Sequence, residues 1–363
     1  MASGTPTAPA GPAAPALPAV DNSRYGIDNE PGDSAYDSEV ASYTTSLATN
    51  ITDYKIENGR RYHAYKEGSR SPSTSIAKDL ANSNGLGYPY PNDEKENDRL
   101  DIVHKMTTVM LHDRLHLSPI AKDPQRILDL GTGTGIWAMD MGDKYPNAEI
   151  LGNDLSPIQP RWVPPNVRFE VDDVEADWTY TKPFDFIHCR YMSNAISDWP
   201  RLGKQCFDHT KAGGYTELID FDLDWTSPDG SIDNRPIQKL NRDFLDGSLA
   251  VGKDPSPGPK LEQYMKAAGF EDVYAEKFIV PVGTWPADKH LKEVGAWNYL
   301  QVMEGIEGFL YRLFTNKLGY SSSEVELMCV KIRADMKDPK MHAMMFVHVA
   351  YGKKPEEKSA PED

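Results

Sequence analysis

The chain has 363 residues, 39% of them hydrophobic, enough for one large globular domain or two. Its formal net charge of −16 repels a phosphate backbone on average, which disfavours direct nucleic-acid binding, and no apolar run reaches the length of a membrane span. Cys189, Cys206 and Cys329 form neither a metal-spaced pair nor an even disulfide framework, so free thiols in a reducing compartment are expected.

The first twenty residues are uncharged and rich in Ala and Pro. Such a composition cannot bury enough surface to fold alone, and residues 1–45 are expected to be a disordered tail. The tail lacks the basic n-region and unbroken apolar core of a secretory signal, and the arginines of a mitochondrial presequence. A short polar tail is expected over 356–363, leaving 46–355 as the folded unit.

A helical block is predicted over Asp98–His116. Next comes Ile127-Leu-Asp129-Leu-Gly131-Thr132-Gly133-Thr134-Gly135-Ile136-Trp137, which reads as a buried strand, a tight turn and a helix start. Glu149 to Asp154-Leu155 reads as a second strand ending in an acid, and Val167 to Asp172-Asp173 as a third. Phe184–Arg190 is a fourth, followed by a helix around Trp199–His209, a turn at Gly213-Gly214 and a fifth strand over Tyr215–Phe221. Residues 222–259 read as a polar segment, and 260–270 as a helix ending at glycine. Strands are predicted near Val273–Val282 and Met344–Tyr351. Residues 286–338 between them read as largely helical, with aromatics at Trp297, Tyr299, Phe309, Tyr311 and Phe314. Alternating strands and helices predict a parallel sheet, with ligand at the carboxyl ends of its strands.

The glycine loop defines the site. Glycines let the backbone approach a ligand and adopt positive φ, and the following helix offers unpaired N–H groups. A dinucleotide fingerprint needs its third glycine one residue later, where this chain has Ile136, so a nicotinamide-dependent oxidoreductase is disfavoured. Asp154 is placed to accept from both hydroxyls of a ribose. His112 and His116 have the spacing of two metal ligands on one helix face, but no intervening glutamate, and no metal is assigned. His188, beside Cys189 on the fourth strand, is a weak candidate base against a packing role.

The pattern Asp129-x-Gly131-x-Gly133-x-Gly135, with the acid-terminated strands that follow, resembles class I S-adenosyl-L-methionine (SAM) methyltransferases. The resemblance implies an α/β fold: a Rossmann-like, mostly parallel seven-stranded sheet flanked by helices, ending in an antiparallel pair and carrying helical additions. It implies SAM as cofactor, with Asp129, Gly131, Thr132, Gly133 and Gly135 around its methionine end and Asp154 and Leu155 at the ribose. Asp173 would receive the adenine amino group, with Val174 beside the ring; Asp172 is the close rival. Arg190 would pair with the methionine carboxylate or anchor a neighbouring acid. Tyr62 would close over the cofactor, the other reading being packing.

A closer resemblance rests on Glu57-Asn-Gly-Arg-Arg-Tyr62-His-Ala-Tyr65, Asn97-Asp-Arg-Leu-Asp101, Asp154-Leu-Ser-Pro-Ile-Gln-Pro-Arg-Trp-Val-Pro-Pro-Asn166, Arg190-Tyr-Met192, Asp198-Trp-Pro200, Ile219-Asp-Phe-Asp222, Glu304-Gly-Ile-Glu-Gly308 and Ala350-Tyr-Gly-Lys-Lys354. Over roughly residues 50–355 these are similar to the LaeA-like methyltransferases of fungi. That resemblance implies a protein of fungal secondary metabolism, either a pathway enzyme methylating a small-molecule intermediate or a regulator acting beside velvet-type proteins. The expected compartment is the cytoplasm, or the nucleus for a regulator, with neither nucleic acid nor membrane as a direct partner. Methyl transfer from SAM is an in-line displacement that asks mainly for positioning, and a base only where the acceptor must lose a proton. No catalytic residue stands out.

Overall fold

The computed structural model describes residues 55–57, 59–62 and 90–356, all within a compact unit spanning Leu47–Asp363. The expected disordered tail lies outside the described residues, as does the polar tail beyond Glu356.

Strands β1 (Lys55–Glu57) and β2 (Arg60–Tyr62) form a hairpin. Arg60 donates to both carboxylate oxygens of Asp93, at 2.5 and 2.8 Å. Asp93 also caps helix α1 (Glu94–Met110) by accepting from the Glu96 N–H. This cap starts α1 before the predicted Asp98. The helix also stops short of His116, because His112 and Asp113 adopt φ of +55° and +58°, outside any helix.

The main sheet joins β3 (Arg126–Leu130), β4 (Glu149–Asp154), β5 (Val167–Val171), β6 (Phe184–Arg190), β7 (Thr210–Thr226), β8 (Glu271–Pro281) and β9 (Met344–Lys353) in the order β5-β4-β3-β6-β7-β9-β8. β3 to β7 pair in parallel, and β9 runs antiparallel between β7 and β8. This is the predicted class I methyltransferase sheet with its antiparallel end.

Alternate residues of β3 serve opposite faces. Ile127 packs with Trp137 and Met141 of α2 (Ile136–Lys144). Leu128 and Leu130 pack in the cluster that contains Leu202 and Cys206 of α3 (Trp199–His209) and Met265 of α5 (Leu261–Ala268). All three cysteines are buried and free.

Two departures concern β7 and its sequel. The strand begins at Thr210, so Gly213-Gly214 lies within it, with Gly213 at φ +78° and a register shift opposite Phe184–Phe186. The segment predicted as merely polar contains helix α4 (Pro236–Ala250). Ile237 and Phe244 form a buried stripe on one face, which the surrounding Gly and Pro obscured.

Helices α6 (Lys289–Asn316) and α7 (Ser322–Met336) fill the predicted helical block, and a Ser321–Glu324 capping box starts the second. With α1, α4 and the ends of β7 to β9 they enclose the largest apolar cluster. Among the described residues, no helix is long and apolar enough to cross a membrane.

Candidate cofactor and acceptor site

The loop after β3 carries Gly131, Gly133 and Gly135 at φ +62°, +59° and +80°. A Cβ on Gly135 would stand 2.3 Å from the Phe169 ring, and one on Gly133 would stand 3.3 Å from Leu100 Cδ1. Gly135 is also the N-cap of α2, and no side chain caps the first N–H groups of that helix.

Asp129 is 2% exposed. Its carboxylate accepts from Thr132 Oγ1 at 2.6 Å and pairs with His188 Nδ1 at 2.8 Å. The His188 ring is fully buried and stacks on Trp137 at 3.7 Å between centroids. Burial lowers the His188 pKa, so the ring is neutral and donates through Nδ1–H. His188 therefore orients Asp129 and packs within the sheet, and its buried Nε2 has no partner among the described residues.

At the end of β4, Asp154 accepts from Gly133 N–H and Ser156 N–H, each at 2.9 Å. Burial, the largest cause, pushes its pKa up to about 6. At the end of β5, Asp173 is 6% exposed and accepts from Glu175 N–H, whereas Asp172 is exposed and accepts from Asp173 N–H. Val174 is buried and Leu155 half-buried beside these acids.

Arg190, at the tip of β6, donates from Nη2 to His104 Nδ1 at 2.9 Å, and His104 Nε2–H meets Asp140 at 2.9 Å. The neighbouring acid is thus reached through an imidazole, a link with no sequence signal because α1 supplies His104. Tyr62 is 1% exposed and lies beneath the Arg312 guanidinium of α6, 4.8 Å from the ring centroid, which gives its packing a definite partner. His112 stacks on His290, while His116 contacts Ser118 O and Tyr145 Oη, so the two rings do not share a helix face.

A cavity of about 150 Å³ adjoins the loop, with Tyr90, Leu100, Tyr191, Phe221 and Phe309 among its walls. Leu100 faces both this space and Gly133. Met192, between the lining residues Tyr191 and Ser193, packs on the loop as well, its Sδ standing 2.3 Å from where a Cβ on Gly131 would be. Tyr90 and Tyr191 are pushed up to about 12 by burial and act as hydrogen-bonding groups, with Asn194 and Thr107 as partners. Trp297 packs beside this cluster but does not wall the cavity.

A family profile described as "Methyltransferase domain" matches residues 102–275. The chain is 41% identical over 322 residues to the methyltransferase pytC of Aspergillus terreus, an alignment covering 87% of this chain and 93% of that one. It is 34% identical over 314 residues to the secondary metabolism regulator LAE1 of Cochliobolus heterostrophus, covering 83% and 95%. The chain belongs to the LaeA-like family of fungal SAM-dependent methyltransferases. It is also 30% identical over 303 residues to the probable methyltransferase tdiE of Emericella nidulans, covering 82% and 95%.

The cofactor of this methyltransferase is SAM, which brings an activated methyl group. The oxidoreductase alternative falls with the family assignment. The donor set suits SAM: three positive-φ glycines beside a helix N-terminus, and carboxylates at the ends of β4 and β5 for hydroxyl and amino donors.

If Asp154 grips the ribose hydroxyls, Asp154→Ala loses charge-assisted bonds worth roughly 1.5–3 kcal/mol each. SAM binding by calorimetry should weaken about 10- to 100-fold per bond. Wild-type affinity should also drop on acidification through pH 6, where Asp154 takes up a proton, and Asp154→Asn should abolish that dependence. An unchanged dissociation constant in folded Asp154→Ala refutes the assignment.

Proposed function

We propose that this methyltransferase moves the methyl group of SAM to an apolar small molecule of a fungal secondary pathway, held in the cavity beside the glycine loop. The single observation that carries this reading is the shared wall: Leu100 borders both Gly133 and the cavity. Helix α6, part of the helical cap over 286–338, supplies Gln301, Val302, Ile306, Phe309 and Leu310 to it.

Several of the polar groups around the cavity have partners of their own. Asn241 bonds Leu223 O and Trp225 N, and Arg99 bonds Glu96 and Gln301. An acceptor therefore meets mostly carbon, which favours an apolar molecule. The residues proposed to hold SAM are Asp129, Gly131, Thr132, Gly133, Gly135, Asp154, Leu155, Asp173, Val174 and Arg190. Tyr62 would back the N-terminal hairpin. The proposed compartment is the cytoplasm.

Leu240→Trp narrows the cavity without touching the loop. A deletion strain complemented with this variant should lose one methylated metabolite, while the purified variant keeps its SAM affinity and melting temperature. Unchanged product in a stably folded variant places the acceptor elsewhere.

The 34% identity to a protein named as a secondary metabolism regulator favours a second reading, a nuclear regulator acting in a velvet-type complex. Silencing of many pathways on deletion, rather than loss of one methylated compound, selects that reading.

A further inference from the structure

Between β4 and β5 the chain uses no helix; Ser156–Asn166 runs as an irregular stretch with prolines at 157, 160, 164 and 165. Prolines fix their own φ and hold the residue before them near extended backbone, so this stretch has few conformations to choose from. Gln159, immediately before Pro160, is half-buried and turns its amide back to the cofactor loop. Nε2 donates to Gly133 O at 2.7 Å and to Ser156 O at 3.0 Å. Both partners are carbonyl oxygens, so only the two-hydrogen nitrogen fits there, and the amide orientation is fixed.

Asp154 bonds the N–H groups of these same two residues. Gly133 and Ser156 are thus each held at both donor and acceptor by one carboxylate and one carboxamide, in a closed ring. A second strap reaches the ring from outside, Asn92 Nδ2 donating to Ser156 Oγ at 3.2 Å.

We infer that Gln159 is a positioning residue for the methyl donor, locking the Gly133 peptide and the Asp154–Ser156 turn into the binding geometry before SAM arrives. The inference rests on the reading of Asp154 and the glycine loop as the cofactor site. The physical need is specific. A glycine enters positive and negative φ about equally readily, so nothing intrinsic keeps Gly133 at +59°. Asp154 restrains only its N–H; Gln159 restrains the carbonyl that would swing in a peptide flip.

The test is calorimetric binding of S-adenosylhomocysteine to the full chain, alongside the melting temperature without ligand. Gln159→Met keeps length and packing but removes both donors. Gln159→Glu sets an oxygen against two carbonyl oxygens. Each should weaken binding about tenfold or more, while the ligand-free melting temperature falls by no more than the few degrees that two lost hydrogen bonds account for. Because the two side chains hold the same two residues, Gln159→Met combined with Asp154→Ala should lose less than the product of the single losses. A purely structural role would lower the melting temperature with little loss of affinity, or give multiplicative losses, and either result overturns the inference. So does wild-type affinity in Gln159→Met when Asp154→Ala is weakened. Wild-type affinity in Asp154→Ala itself defeats the cofactor-site reading instead. If Gln159→Glu fails to fold, Gln159→Met carries the test alone.

Discussion

Gly133→Val should lose SAM binding by about 100-fold while the sheet and helices remain intact. Gly133 stands at φ +59°, where an L side chain costs roughly 1–2 kcal/mol and a β-branched one more. Escaping that strain turns the N–H away from Asp154 and the carbonyl away from Gln159. The first bond is charge-assisted, worth about 1.5–3 kcal/mol, and the second adds about 1 kcal/mol. At 1.4 kcal/mol per decade these two terms together correspond to roughly two to three decades. Keeping the conformation retains that strain and sets the new Cβ 3.3 Å from Leu100 Cδ1, which must give way by a few tenths of an ångström. Calorimetry with SAM, checked by circular dichroism and ligand-free melting, measures the effect. A folded variant that binds within a few-fold of wild type would mean that the centre of the loop does not face the cofactor.

Glu217→Gln should stabilise the protein above pH 7 and change little near pH 4. Glu217 is fully buried on β7, and its Oε2 accepts from Leu117 N–H, Ser118 N–H and Ser118 Oγ at 2.6–2.8 Å. Its Oε1 has no partner among the described residues. Burial outweighs the three bonds and pushes the carboxyl from 4.5 up to about 7. The folded protein then holds a proton that the unfolded chain releases between these values, so stability falls as pH rises from 4.5 to 7 and the penalty is complete above 7. Its size is roughly 3 kcal/mol. For a domain of this size that corresponds to roughly 5–10 °C in melting temperature. His188, His104 and His116, whose pKa values burial lowers, pull the opposite way below pH 6.5, so the informative quantity is the difference between variant and wild type. A difference in melting temperature that stays flat from pH 4.5 to 8 would show that Glu217 does not carry this charge penalty.

Much of the fold and part of the site follow from local sequence. Ile127 to Trp137 specified strand, turn and helix by itself, because burial periodicity and positive-φ glycines are properties of a few adjacent residues. The positions of Asp154 at the end of β4 and of Asp173 just past β5 were legible because a parallel strand delivers its last residues to one edge of the sheet whatever it pairs with. The helices over 289–336 followed from their periodicity. Helix α4 did not, because its apolar stripe is thin and set among Gly and Pro, and becomes decisive only when α7 and β7 supply the surface it buries against.

The relations within the site came from tertiary structure alone. Asp129 and His188 meet across the β3–β6 register, 59 residues apart, and the proton-bearing nitrogen of the imidazole follows from that contact. Arg190 reaches Asp140 through His104, a residue of a helix that precedes the sheet. Asp172 and Asp173 are the same residue type, and only burial separates them. Gln159 is one glutamine in a proline-rich stretch until the chain returns it to the Gly133 carbonyl. Sequence encodes directly what depends on neighbours along the chain: backbone propensity, periodicity and strand ends. Pairing across the sheet, the burial that shifts a carboxyl, and a cavity walled by separate helices and strands depend on residues that become neighbours only when the chain folds.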